Sequence, residues 1–316
     1  MATDDFVILL DFPQNGWKDK TMPKHIIVVN PCGGMRRGLA VLEKVKPIFS
    51  AAGIELDVYV TTHAGHTAEL AKTLDFHGCD GFCLIGGDGT LHEAVCGLIE
   101  RGHPDAIPLG VIPGGTGNSV LQHFNCFDPL EAARRIIAGN TQPLDVARVM
   151  MGSNVTYCVN IIGWGTVVDI NRTAERLRML GPTRYSIAAM IHILRIKYRR
   201  AKLVIDDQLF HDDFLFVAAC NTRFTGKGMQ LAPQADAGDG KLDIVVVRHA
   251  TQLQLLKLFK TVFNGKHLLL PYVEYRQVHS FSIEQVGVDS LLLDGELKGS
   301  SPVSVDMIPT ALKIFT

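Results

Sequence analysis

The sequence predicts an α/β fold in its first half, joined to a mainly antiparallel β-rich second half. Three observations carry that prediction. From His25 onward, apolar runs, glycine-rich turns and helix-like segments recur in that order. After about Pro143 the texture changes to short β-rich runs separated by turn residues. The chain's 316 residues, with an apolar fraction of 47%, suffice for two ordinary domains with sizeable cores. The expected division is 24–144 and 145–316.

Each unit of the first half reads as strand, turn and helix. HIIVVN (25–30) is followed by PCGGMRRG and the helical LAVLEKVKPIFSAAG. ELDVYVTT (55–62) leads into HAGHTAELAKTL, and GFCLIGGDGT (81–90) into LHEAVCGLIERG. IPLGVIPGGTGN (107–118) leads into SVLQHF. Strands alternating with helices at this rhythm form parallel βαβ units, whose loops beyond the strand C-termini converge on one crevice. In the second half, VARVM, TYCVNIIGWG, KLVID, DDFLFVAACN, KLDIVVVRH, VEYRQVHSFSIEQ and SLLLDGEL are the expected strands. Helical stretches are expected over about 173–199 and 251–264.

Formal net charge is −1, so no global field makes nucleic acid a partner, and any anion must be held locally. The seven cysteines (32, 79, 83, 96, 126, 158, 220) are odd in number and contain no CxxC pair, which argues against a disulfide framework or a structural zinc site and fits a reducing cytoplasm. The histidines show no ligand spacing. The opening MATDDFVILLDF lacks the basic region and long apolar stretch of a secretory signal and reads as a strand or a tail. No run of eighteen apolar residues occurs, so no membrane span is expected; docking on a bilayer surface stays open.

The turns carry the chemistry. Phosphate needs donors and a closely approaching backbone, which glycine permits because it has no Cβ and accepts positive φ. Asn30-Pro31-Cys32-Gly33-Gly34, Gly86-Gly87-Asp88-Gly89-Thr90 and Pro113-Gly114-Gly115-Thr116-Gly117-Asn118 all have that character. Three such turns in one α/β half are hard to explain as mere corners. None matches GxxxxGK[ST] or a GxGxxG dinucleotide fingerprint. Asp88 stands out, because a carboxylate among phosphate-binding glycines repels the ligand unless it carries Mg²⁺ or takes a proton from a nucleophile. Its plain alternative is a helix N-cap.

NP-C-GG, TTHAGHTAEL (61–70), GGDGT with Glu93, and PGGTGN together resemble the catalytic domain shared by diacylglycerol, sphingosine and ceramide kinases. Gly163-Trp164-Gly165, Asp169, Glu175, Arg178, Leu180-Gly181 and Arg184-Tyr185 resemble a segment of the eukaryotic sphingosine and ceramide kinases. The resemblance implies an NAD-kinase/phosphofructokinase-like α/β domain, a C-terminal mainly antiparallel β-sandwich domain, and ATP in the cleft between them. It implies transfer of the γ-phosphoryl group to a lipid hydroxyl at a membrane surface, with Mg²⁺.

Residue by residue, Asn30, Pro31, Cys32, Thr61, Gly65, Gly86, Gly87, Gly89, Thr90, Glu93, Gly115, Thr116 and Gly117 match or adjoin nucleotide-contacting positions. Arg178 and Arg184 match arginines on the ATP phosphates, which suits their planar fork. Asp88 matches the general base. Asp294 of the Asp294-Gly295-Glu296 element competes for that role; otherwise Asp294 and Glu296 serve the nucleotide and Mg²⁺, and a plain DG hairpin turn is the bland alternative. Pro233 to Leu242 resembles a segment holding a structural Mg²⁺ in bacterial relatives, here through Asp236 and Asp239, or is a plain loop.

The resemblance implies that Asp169 and Asn171 take the lipid headgroup positions. Sphingosine kinases carry a second acidic residue where this chain has Asn171, and an amide cannot pair with an ammonium. That shifts the expected acceptor from a sphingoid base toward ceramide or diacylglycerol. The stretches 187–198 and 253–263, flanked by Arg195, Lys197, Arg199, Arg200, Lys257 and Lys260, read as an acyl-chain pocket with a basic rim or as ordinary core-facing helices. A soluble-substrate kinase resembling NAD kinase, or a non-catalytic nucleotide or lipid sensor, are the alternative readings.

Overall fold

The apolar runs of the first half pair as parallel strands in a computed structural model, which describes residues 22–102, 107–115, 117–226 and 228–316. The opening MATDDFVILLDF and the expected nucleotide residue Thr116 lie outside the described residues. In chain order the first half runs β1 (Lys24–Val29), α1 (Gly33–Arg36), α2 (Gly38–Ala51), β2 (Glu55–Val60), α3 (His66–Thr73), β3 (Gly81–Gly86), α4 (Asp88–Glu100), β4 (Leu109–Pro113), α5 (Ser119–His123) and α6 (Pro129–Ala138). The strands lie side by side as β2-β1-β3-β4. Every residue of β3 and β4 is buried, as continuous apolar runs require when helices cover a parallel sheet. α2 packs beside α6, and α3 beside α4.

Two details differ from the sequence reading. The helix expected from Leu91 begins at Asp88, because extended Gly87 takes the N-cap and Asp88-Gly89-Thr90 forms the first turn. A helix also occupies 129–138, where the reading above names none. Its signals are plain in retrospect: Asp128 caps it by accepting from the Glu131 amide at 3.1 Å, Pro129 sits in its first turn, and Gly139 closes it at φ 76°.

The second half runs β5 (Thr141–Met151), β6 (Asn154–Cys158), β7 (Ile161–Gly165), α7 (Thr166–Arg176), α8 (Arg184–Leu194), β8 (Arg199–Ile205), β9 (Gln208–Phe214), β10 (Phe216–Cys220), β11 (Leu242–Val247), α9 (Gln252–Thr261), β12 (Glu274–Val278), β13 (Ser280–Gln285), β14 (Ser290–Leu293), β15 (Glu296–Ser300) and β16 (Val303–Phe315). It is antiparallel, as expected, with one sheet ordered β12-β11-β10-β7-β14-β15. The other strands extend the parallel sheet: β16 pairs parallel with β4 and antiparallel with β5 and β13, and β13 leads on to β8 and β9. A single ten-stranded sheet therefore crosses both halves. The division drawn at 144/145 falls inside β5.

Trp164 and Phe214 meet edge-on at 6.4 Å within the apolar layer between the two sheets, beside Val149, Leu203, Ile244 and Val305. The helix expected over 173–199 is two helices. α7 starts at Thr166, a 3₁₀ turn over 178–183 contains Gly181 at φ 59°, and α8 ends at Leu194. Arg199 opens β8, so it is not part of a helical basic rim. A capping box starts α9: the Thr251 hydroxyl accepts from the Gln254 amide at 3.3 Å, and the Gln254 side chain accepts from the Thr251 amide at 2.7 Å.

Candidate active site

The C-termini of β1, β3 and β4 deliver three glycine turns to one place. Asn30, one residue past β1, ties two of them: its Oδ1 accepts from the amides of Cys32 and Gly33 at 3.0 Å each, and its Nδ2 donates to Thr90 Oγ1 at 3.0 Å. The amides of Gly114 and Gly115 donate to Gly86 O at 2.8 and 3.1 Å, joining the other pair. The approach needs glycine. A Cβ on Gly115 would lie 2.5 Å from Gly87 Cα, and one on Gly34, at φ 53°, would lie 1.7 Å from Gly114 O.

The loop after β2 joins the same group. Buried Thr61 donates its amide to Val29 O, and Glu93 accepts from the amides of Gly65 at 2.9 Å and Thr67 at 3.3 Å. Glu93 therefore fixes the loop through its carboxylate. The first intrahelical bond of α4 runs from the Leu91 amide to Gly87 O. The amides of Asp88, Gly89 and Thr90 precede that ladder, leaving donors at a helix N-terminus beside the glycines.

Asp88 stands at the centre. Its Oδ1 accepts from the Ser119 amide at 2.7 Å and its Oδ2 from the Ser119 hydroxyl at 3.2 Å. A Cβ on Gly117 would come within 2.7 Å of Asp88 Oδ2, and one on Gly89 within 2.8 Å of Glu296 Oε1. Burial pushes the Asp88 carboxyl up to about 6; the Ser119 hydrogen bonds pull against that rise and the Asp294 charge adds to it. Glu296 faces the site across Gly89 and its other oxygen pairs with Lys298 at 2.9 Å.

Asp294 is engaged differently. It lies at φ 50° and Gly295 at φ 88°, the two left-handed residues of a turn joining β14 to β15. Its Oδ1 accepts from the Asn160 amide at 2.8 Å and from Cys158 Sγ at 2.9 Å; its Oδ2 meets His92 Nδ1 at 2.8 Å and the Val159 amide at 3.1 Å. Burial would raise its carboxyl, but His92, Cys158 and the Val159 amide hold it below the usual range. Burial would likewise lower His92, whereas the Asp294 and Cys96 partners hold it up at about 10. Fully occupied oxygens suit a strut between α4 and the β14–β15 turn rather than a proton acceptor.

The remaining expected residues form separate groups. Arg178 and Arg184 both pair with Glu175, Arg184 at 3.1 Å, and Arg184 lies over the Tyr185 ring. Among the described residues, no hydrogen bond or ion pair joins either arginine to the glycine turns. Asp169 is paired with Arg199 at 2.7 Å, and Arg199 is also bonded to Asp289. Asn171 donates to Gly295 O at 3.1 Å, while its buried Oδ1 has no partner. Asp236 and Asp239 are exposed and accept from the amides of Gly238 and Lys241, two residues on. Asp236 also lines a cavity of about 690 Å³ with His123, Arg135 and Arg223, whose lining does not include Asp88.

Ser119 and His92 are the two residues the sequence reading lacks. Asp88, His92 and Cys96 are spaced i, i+4, i+8 and so share one face of α4, a signal present in the sequence. Nothing local marks Ser119, whose role depends on β4 lying beside β3.

Comparison with known proteins matches this arrangement in both halves. Residues 24–149 match the diacylglycerol kinase catalytic domain, and residues 160–316 match the YegS C-terminal NAD kinase beta sandwich-like domain. The chain is similar to sphingosine kinase 1 of Arabidopsis thaliana (28% identity, covering 90% of this chain and 71% of the relative). It is similar to a diacylglycerol kinase of Bacillus subtilis (strain 168) at 27% identity, covering 89% and 92%. A solved diacylglycerol kinase from Bacillus anthracis str. Sterne shares the fold, with a TM-score of 0.72 at 22% identity over 94% of this chain and 98% of that one. No helix among the described residues is long and apolar enough to cross a membrane. The chain therefore belongs to the lipid kinase family built on the diacylglycerol kinase catalytic domain, and is a phosphotransferase.

Proposed function

We propose that the protein transfers the γ-phosphoryl group of ATP to a hydroxyl of a membrane lipid, with Asp88 as the general base. The observation that carries this reading is the position of Asp88. It sits in the first turn of α4, oriented by Ser119, where the Gly87 and Gly115 backbones crowd together and Gly117 approaches its carboxylate. A carboxyl raised to about 6 is ionised at neutral pH yet a better proton acceptor than an ordinary aspartate. In the step, the lipid oxygen gives its proton to Asp88 and bonds to the γ-phosphorus, while the bond to the β-γ bridging oxygen breaks and ADP leaves.

The glycine cradle, whose turns pack backbone against backbone, fits a triphosphate, with the amides of the first turn of α4 as donors. Glu296, whose Oε1 faces Gly89, is the residue that would hold Mg²⁺ there; the ion would neutralise phosphate charge. Asn30, Thr61, Gly65 and Glu93 shape the walls. Arg178 and Arg184 would serve the phosphates only by leaving Glu175 or by sharing it.

Access to lipid is assigned to α8 and α9. α8 exposes Ile187, Met190 and Leu194, and α9 exposes Leu253, with Arg195, Lys197, Lys257 and Lys260 exposed around them. Purified protein incubated with labelled ATP, Mg²⁺ and vesicles of diacylglycerol, ceramide or a sphingoid base tests the reading, with NAD as a soluble acceptor. Label on lipid, lost in Asp88→Asn, is the expected result. Label on NAD and on no lipid would overturn it.

A further inference from the structure

A nucleophile lies on α4 that phosphoryl transfer does not use. Cys96 is half-buried two turns below Asp88, and its Sγ meets His92 Nε2 at 3.8 Å, Thr156 Oγ1 at 3.9 Å and Tyr157 O at 3.9 Å. His92 in turn meets Asp294 Oδ2 at 2.8 Å, and Asp294 holds the amides of 159–161. The result is a continuous chain of thiol, imidazole and carboxylate reaching from α4 to the β14–β15 turn. A cysteine meeting an imidazole that a carboxylate orients is the arrangement that activates a thiol as a nucleophile. Of the six other cysteines, Cys83, Cys126, Cys158 and Cys220 are buried, and no hydrogen bond is made by the Cys79 or Cys32 thiol among the described residues.

We propose that Cys96 is a peroxide-reactive thiol, activated by His92 and Asp294, whose oxidation to a sulfenic acid switches off phosphoryl transfer. In the step, Cys96 releases its thiol proton to solvent, and the thiolate sulfur attacks the hydroxyl oxygen of a small hydroperoxide: an S–O bond forms and the O–O bond breaks. The sulfur loses two electrons to the peroxide, and the proton on His92 Nε2 goes to the departing oxygen, which leaves as water or an alcohol. His92 regains a proton from solvent, because Asp294 holds it up at about 10. A new oxygen is forced between α4 and β6. That intrusion bears on the helix whose first turn carries Asp88. Burial would raise the thiol, but hydrogen bonding and charge from His92 hold it below its ordinary range, which agrees with this chemistry.

The loss of activity rests on the kinase reading; the thiol's reactivity does not. The experiment exposes the protein to hydrogen peroxide at pH 7, traps sulfenic acid with dimedone, and maps each cysteine by mass alongside kinase activity. Cys96 should be trapped at least tenfold faster than exposed Cys32, and activity should fall with the Cys96 rate constant. His92→Gln should slow Cys96 at least tenfold and leave Cys32 unchanged, while Cys96→Ser should keep its activity under peroxide. Trapping of Cys32 as fast as Cys96, or inactivation that follows Cys32, overturns the proposal. Absence of activity before peroxide would instead sink the kinase reading, with the trapping result still decisive for the thiol.

Discussion

Ser119 grips both oxygens of Asp88, its amide donating at 2.7 Å and its hydroxyl at 3.2 Å, across the gap between β3 and β4. Hydrogen bonds to the charged form favour ionisation, so Ser119 opposes the burial that raises Asp88 to about 6. A base must be ionised to work, so kcat should rise with pH through about 6 and level off above it. Ser119→Ala removes one bond to the anion and should move that midpoint upward by about half a unit, leaving the plateau within about tenfold. Asp88→Asn should lower kcat by about 10²–10⁴-fold at every pH. A midpoint unmoved by Ser119→Ala in a kcat–pH profile would remove Asp88 as the titrating base.

Gly115 tests the cradle. Its missing Cβ would lie 2.5 Å from Gly87 Cα and 2.8 Å from Asn118 Oδ1, and backbone cannot swing aside as a flexible side chain can. Gly115→Ala should therefore destabilise the fold by about 1–3 kcal/mol and weaken ATP binding at least tenfold. Gly53 supplies the contrast: at φ 71°, with nothing within 4 Å of its missing Cβ, its replacement by alanine should cost about 1 kcal/mol and leave ATP binding alone. Urea unfolding and ATP titration of the two variants separate these outcomes.

His92 and Asp294 form a buried ion pair, 5% exposed each, whose partners perturb one another in opposite directions. Removing one partner leaves the other charge buried, so Asp294→Asn or His92→Leu should cost about 3–5 kcal/mol. His92 titrates near its ordinary 6.5 when unfolded and at about 10 when folded. The stability it contributes is complete below 6.5 and is lost as pH rises toward about 10. Asp294 acts at the other end: its contribution is present above its unfolded value and disappears as acid reaches its depressed one. Unfolding free energies measured from pH 6 to 10 should fall for the parent protein and run flatter for His92→Leu.

Much of this was legible in the sequence, because the glycine turns are local signals. A βα turn needing close backbone approach demands glycine whatever its surroundings, so GGDGT and PGGTGN point to the cradle directly. The parallel strands were equally clear from their unbroken apolar runs. What escaped depends on contacts far apart in the chain. The β16 crossing into the parallel sheet through Ile314 and Leu109 leaves no local mark, because this single pairing is set by how distant parts of the chain pack. Arg199 looked like part of a basic rim, whereas its burial between Asp169 and Asp289 joins positions 30 and 90 residues away. Asp294 competed in sequence with Asp88 for the base role; only its neighbours reveal that both its oxygens are taken.

The Asp169–Arg199 pair bears on the acceptor. A carboxylate already bonded to a guanidinium at 2.7 Å attracts an ammonium weakly, and Asn171 nearby carries no charge. Neutral lipids offering a hydroxyl beside an ester or amide should therefore be labelled at least tenfold faster than amine-bearing sphingoid bases. Mass identification of the products from a mixed-vesicle assay checks this. A faster sphingoid base would mean that the amine is met elsewhere.

Leu194 on α8 and Leu253 on α9 are 60% and 78% exposed, on helices that pack against each other, with Lys257 exposed on α9 and Arg195 and Lys197 exposed just past α8. Burying a leucine side chain in an apolar phase is worth about 1.5–3 kcal/mol, so these two supply enough affinity to matter for a reversible docking site. Replacing both with glutamate reverses the apolar term and adds repulsion from anionic headgroups. Cosedimentation with phosphatidylserine-containing vesicles should weaken at least tenfold, and activity on vesicle-bound lipid should drop in parallel. Activity on the same lipid dispersed in detergent micelles should stay within about twofold, because neither leucine contacts the glycine cradle. Loss in both assays would instead place the leucines in the path of the acyl chain.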